Sequence, residues 1–129
     1  MNLEEYVRYY LNEMHNGDAE NAYFSLIEAD ASIVPMLQDA YTQEINPELR
    51  AQLVHIISQF RLTASIPFFA SGLQDPEPAV WKACLDGLVM LACPQSIQIM
   101  EDALKSEHST SEFREWVQEA IDQIKEPNK

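Results

Sequence analysis

Residues Ile66 to Ala103 read IPFFASGLQDPEPAVWKACLDGLVMLACPQSIQIMEDA, and the reading of this stretch decides the fold. A short apolar segment runs from Ile66 to Leu73 and breaks at Asp75-Pro76-Glu77. There a capping acid, a proline suited to a first helical turn and an acid for the positive helix end together predict a helix start. Val80, Cys84, Leu88 and Leu91 follow at intervals of three and four residues, the period of one helix face. Pro94 then opens a further helix. A strand over Ser65 to Leu73 would lie among helices with no partner strand nearby, so the segment is expected to be helical.

Reading outward, Ala64-Ser65-Ile66 is anticipated by Ala31-Ser32-Ile33 and echoed by Gln95-Ser96-Ile97. Each triplet precedes a short helix, a turn and a longer helix, the signature of an internal repeat. The longer helices align: Leu49, Leu53, Ile57 and Phe60 match Val80, Cys84, Leu88 and Leu91, and these match Phe113, Val117, Ile121 and Ile124. Other marks complete the division. Asn16-Gly17 reads as a helix stop, Asn46-Pro47-Glu48 as a helix start and Ser109 to Glu112 as a capping box. Helices are predicted near 2–15, 18–29, 32–43, 47–61, 65–73, 76–92, 94–105 and 110–125. No segment reads as a linker, so residues 1–129 are expected to form one domain. Residues 1–30 would be a degenerate N-terminal capping pair, and 31–125 three repeats.

The chain resembles a HEAT-repeat (armadillo-like) protein, an all-α solenoid here of about four stacked helical hairpins. The resemblance rests on the first-helix apolar pair, the Asp75-Pro76 turn, Val80 and the small residue Ala83. The family's arginine after the apolar position has counterparts in Arg50 and Arg114, whereas Trp81 stands in the middle repeat. The resemblance implies that the second helix of each pair contributes to one long face. In the repeat register, Arg50, Trp81 and Arg114 form one outward row, His55, Asp86 and Glu119 a second, and Gln59, Met90 and Gln123 a third. Two readings of Trp81 stand side by side: an exposed binding residue, or an indole folded into the neighbouring hairpin.

Chemistry is sparse. His15, His55 and His108 have no metal-ligand spacing, and neither Cys84 nor Cys93 has a partner motif. No GxSxG, phosphate-binding loop or calcium loop occurs, and the adjacent acids Glu4-Glu5 and Glu101-Asp102 point about 100° apart on a helix. The expectation is a non-enzyme without cofactor or metal. The longest apolar run, Leu88 to Cys93, is too short to span a bilayer, and MNLEEYVRYY has no secretory pattern. With two cysteines, a reducing cytoplasm is expected.

Charge is the second informative feature. Eight Lys and Arg face 21 Asp and Glu, for a net charge of −13. Such a chain repels nucleic-acid backbones and anionic lipid, so neither is expected as a direct partner. Residues 1–48 hold ten acids against Arg8 alone, and the first lysine is Lys82. Solubility accounts for part of the excess, but the lopsided placement points to a basic protein partner, recruited by complementary charge. In size, acidity and helical character the chain is similar to small bacterial immunity proteins that neutralise nuclease toxins. That likeness implies a monomer, or a 1:1 heterodimer with a basic toxin domain. Partner contacts are expected from Glu4, Glu5, Glu13, Asp18 and Glu20, and from Trp81, Asp86, Met90, Glu115 and Glu119 on the second-helix face. The alternatives are a HEAT scaffold or adaptor in a larger assembly, and an accessory module of a chromophore lyase.

Overall fold

The computed structural model describes residues 2–106 and 109–127; His108 lies outside them. These residues form eight α-helices in four successive pairs: α1 (Leu3–His15) with α2 (Ala19–Ile27), α3 (Val34–Gln43) with α4 (Pro47–Gln59), α5 (Ile66–Gly72) with α6 (Pro78–Leu91), and α7 (Pro94–Leu104) with α8 (Ser111–Lys125). The arrangement is the all-α solenoid of stacked hairpins expected from the repeat. Each of the two triplets Ala31–Ile33 and Thr63–Ser65 forms a 3-10 turn that leads directly into the next helix. Ser65 to Leu73 is therefore helical rather than a strand.

Local chemistry sets the ends. Proline occupies the first turn of α3, α4, α5, α6 and α7, where its missing N–H costs nothing. Asn46 caps α4, its side-chain oxygen accepting from the N–H of Glu48 at 2.9 Å and Leu49 at 3.3 Å. Helix α1 ends at Asn16, and Gly17 reverses the chain with φ 98°, a conformation glycine adopts without strain. Two expected starts shift. Helix α6 begins at Pro78 with Glu77 as N-cap, because the residue before a proline is held extended; Asp75 accepts from the Glu77 N–H at 3.0 Å, one turn short of the helix. Helix α8 is capped by Thr110, whose hydroxyl accepts from Phe113 N–H at 3.1 Å, so the predicted box on Ser109 does not form.

The centre of the core is the packing of α4 on α6, the most extensive contact between elements. Leu53, Val54, Ile56 and Ile57 meet Val80, Leu85 and Leu88, with Phe69 of α5 closing the layer. Gly87 makes this approach possible. A Cβ there would stand 2.8 Å from both the Phe69 ring and the Ser58 hydroxyl. Buried Ser58 satisfies itself by donating to the Val54 carbonyl at 2.8 Å. At one end α1 and α2 pack on each other, with α2 against α4; at the other, α8 packs on α6 and α7.

Polar contacts bind consecutive pairs at their turns. The Arg50 Nη2 atom donates to both oxygens of Asp75, at 2.7 and 2.8 Å, and the Tyr41 hydroxyl donates to the same carboxylate at 3.0 Å. Asp75 thus ties the α5–α6 turn to both helices of the preceding pair. One pair earlier, Glu44 in the α3–α4 turn accepts from His15 Nε2 at 2.6 Å. In the next pair there is no such arginine. Trp81 fills the position, 5% exposed, edge-on to Phe113 with ring centroids 5.1 Å apart.

Candidate protein-binding face

The second helices α2, α4, α6 and α8 place two recesses side by side on one face. The first lies between α2 and α4 and has a volume of about 610 Å³, within the usual range of ligand sites. Tyr23, Phe24 and Ala51 give it apolar walls, while Glu20, Glu48, Gln52 and His55 complete its lining. The recess is held open by a specific contact: Gln52 Nε2 donates to the Ala19 carbonyl at 2.8 Å, pinning the start of α2 to α4. Phe24 is 51% exposed, an unusual setting for a phenyl ring beside a partly apolar floor.

The second recess, about 120 Å³, lies between α6 and α8 and is lined by Leu85, Asp86, Val89, Trp116, Glu119, Ala120 and Gln123. Asp86 is exposed on α6, and partial desolvation by its neighbours raises its carboxyl pKa above the ordinary value, offset in part by the nearby His55. His55 of α4 lines the first recess and Asp86 of the adjoining α6 the second, at equivalent positions of the repeat, so the two recesses open on the same face. Beside them Lys82 stands over the Trp116 ring at 4.5 Å and the Trp81 ring at 5.5 Å, and its ammonium pairs with Glu112 at 3.0 Å. Lys82 is therefore already engaged. Among the described residues, Glu20, Glu48, Asp86 and Glu119 have no ion-pair partner.

The structure sorts the residues singled out from sequence. Asp86 and Glu119 come together as their row predicts, and Glu20 reaches the same face from α2. Met90 is half-buried on α6, and Glu115 is exposed on α8 outside the recess lining. Glu4 and Glu5 sit exposed in the first turn of α1, Glu4 paired with Arg8 at 3.0 Å. Glu13 is half-buried on α1, and Asp18 is the N-cap of α2 without a side-chain capping bond. The four are thus on or beside α1 and outside both recesses.

Trp81 requires correction. As an exposed contact residue it fails, because the following pair packs over it, whereas Trp116, beside the apolar position Val117 of α8, is 42% exposed. The row Arg50, Trp81 and Arg114 divides: Arg114 is exposed, Arg50 half-buried and Trp81 buried. These residues lie near the helix starts, where Arg50 meets Asp75 and Arg114 donates to the Ser109 hydroxyl at 2.7 Å. Phe24, Glu48 and Trp116 were not singled out as face residues. Glu48 was readable only as a helix-start acid, and Phe24 lies outside the aligned repeats.

Other chemistry is confined. Cys84 is buried, which pushes its thiol pKa up to about 12, and it is inert packing. Cys93 is half-buried at the N-cap of α7, its thiol lowered by the Ser96 hydroxyl 3.4 Å away. Among the described residues no three His, Cys, Asp or Glu side chains gather in a group able to hold a metal ion, and no helix is long and apolar enough to cross a membrane.

The comparisons with known proteins agree with this architecture. The family described as HEAT repeats matches residues 34–122, from the start of α3 into α8 and well over half of the chain. No curated protein and no solved structure matches the chain significantly. The matched span, the stacked pairs and the Arg50–Asp75 tie between repeats lead to one conclusion: the chain belongs to the HEAT-repeat family, as a protein-binding module.

Proposed function

We propose that the chain acts as a HEAT scaffold or adaptor that grips a basic protein partner on the face of its second helices. The observation that carries this reading is the combination on one surface of four carboxylates without cations, Glu20, Glu48, Asp86 and Glu119, and two half-exposed aromatic rings, Phe24 and Trp116. A few hot-spot residues, enriched in Trp, Tyr and Arg, dominate affinity at protein interfaces, and complementary charge supplies specificity and encounter rate. The pair α1 and α2 serves in this reading as the N-terminal cap of a single-domain stack.

Affinity capture from the native cells, washed at low and moderate salt, tests it. Wild type should retain a basic polypeptide that the variant E20Q/E48Q/D86N/E119Q loses. Equal retention by both proteins would sink the proposal.

A second reading, a cytoplasmic immunity-type inhibitor of a basic toxin nuclease, is favoured by the ten acids of residues 1–48 against Arg8 alone. It requires a single 1:1 partner that is inactive until separated, and loss of binding when Glu4, Glu5, Glu13, Asp18 and Glu20 are neutralised together. A stable multi-subunit assembly in the same capture supports the scaffold instead.

A further inference from the structure

The groove between α2 and α4 differs in kind from the rest of the face. One wall, α2, lies outside the span matched by the family, so this groove joins the N-terminal pair to the first matched repeat. It is mainly apolar inside, with Tyr23, Phe24 and Ala51, and carries Glu20 and Glu48 from the first turns of its two helices. His55 is the one other titratable group lining it apart from the Tyr23 phenol. The slot between α6 and α8 repeats the combination on a smaller scale, with Trp116 beside Asp86 and Glu119. Between them α4 and α6 are closed tightly over Gly87. Packed helices stand about 8–10 Å apart, which puts the two recesses about 20 Å from each other. A helix of about 13 residues covers that distance.

The occupant follows from shape and charge. A second copy of this chain would bring a net charge of −13 against −13, and nucleic acid or an anionic membrane would be repelled likewise. A polar basic loop would leave the apolar walls unused. We propose that the α2/α4 groove is the anchor site for a basic amphipathic helix of the partner, whose apolar residue seats between Tyr23, Phe24 and Ala51, and whose Lys or Arg residues meet Glu20, Glu48, Asp86 and Glu119. Lying across the second helices, such a helix places an apolar anchor at one end and a cation at the Trp116 slot at the other. This inference rests on the reading that the second-helix face takes a basic partner and adds the form of that partner and its anchor.

The test uses the full chain and two synthetic 18-residue peptides of identical Leu, Lys and single-Trp composition. One is arranged in helical amphipathic register and the other scrambled. Titration calorimetry at low and moderate salt should show the amphipathic peptide binding at least tenfold tighter than its isomer. F24Q should abolish that preference while leaving the salt dependence. E20Q/E48Q should flatten the salt dependence instead. Equal binding of the two peptides, or a preference that survives F24Q, would overturn the anchor while leaving the basic-partner reading intact. Failure of both peptides to bind would overturn both. Chemical-shift mapping on wild type serves independently of how the variants fold: shifts concentrated at Tyr23, Phe24, Ala51 and Gln52 support the site, and shifts concentrated at Glu4 and Glu5 of α1 reject it.

Discussion

At the scale of single residues, two charged contacts hold the stack in register and each makes a testable claim. Asp75 accepts from Arg50 and Tyr41 at once, and the Arg50 and Asp75 side chains are 16% and 10% exposed. Burial and the adjacent carboxylate raise the Tyr41 hydroxyl far above its ordinary value, which marks the site as shielded from water. Asp75→Ala would leave the guanidinium without its counter-charge and should cost about 2–3 kcal/mol of unfolding free energy in urea melts. His15 is the second contact. Its Nδ1 lies 2.8 Å from the Leu11 carbonyl and its Nε2 2.6 Å from Glu44, both acceptors, so only the doubly protonated ring satisfies both. The Leu11 carbonyl, with Glu44 assisting against some desolvation, raises its pKa above the ordinary histidine value. A raised folded-state pKa means stabilisation present in full below about pH 6.5 and lost as pH climbs through the folded value. Because the ring is half exposed, the effect is small. His15→Gln should therefore lower stability by less than about 1 kcal/mol at pH 5.5 and leave it nearly unchanged at pH 8.5. A gap that widened with pH would contradict this assignment.

At the scale of elements, the contact of α4 with α6 sets the molecule's tolerance to change. Gly87 admits the Phe69 ring and the Ser58 hydroxyl where a Cβ would stand 2.8 Å from each. Gly87→Ala gains up to about 1 kcal/mol in helix propensity but overpacks a closed seam, a cost of about 1–3 kcal/mol. A net loss of about 1–2 kcal/mol is expected, visible as a fall in melting temperature of several degrees. An unchanged or raised melting temperature would show that the seam can open. The element scale also explains the exchange of roles between the two tryptophans. Trp81 lies on an inner helix with another pair stacked over it, so Phe113 covers its indole. Trp116 lies on α8, where no further pair follows within the described residues, and it stays 42% exposed. Helical periodicity assigns each residue to one side of its own helix. It does not say whether a neighbouring helix covers that side.

At the scale of the whole molecule, four pairs share one continuous core, and the end pairs shield what lies between. Ile33 and Leu37 of the second pair, and Leu53 of α4, are all but fully buried with α1 and α2 in place. In repeat proteins each pair buries its apolar side on the neighbouring pair. Removing residues 1–30 should therefore expose this layer. The truncated chain is expected to bind a hydrophobic dye and to elute as aggregates on size exclusion, whereas a folded monomer would show that the pair is dispensable to the stack.

The sequence by itself determined the helices, their pairing and the family. Those features rest on local chemistry: prolines and Asn46 at helix starts, Asn16-Gly17 at a stop, and apolar positions repeating in step through α4, α6 and α8. The row His55, Asp86 and Glu119 was also legible, because residues one repeat apart in register recur on the same side of equivalent helices. The tertiary structure alone decided what Asp75 does. Read locally it is a helix-start acid, and it does accept from the Glu77 N–H at 3.0 Å, but the charged arginine 25 residues away that holds both its oxygens is invisible to a local reading. It also decided which indole is buried, and that Tyr23 and Phe24 border a groove with Ala51. Those outcomes depend on the distance and tilt between helices distant in sequence, and a period along one helix carries no record of how far away the next one stands.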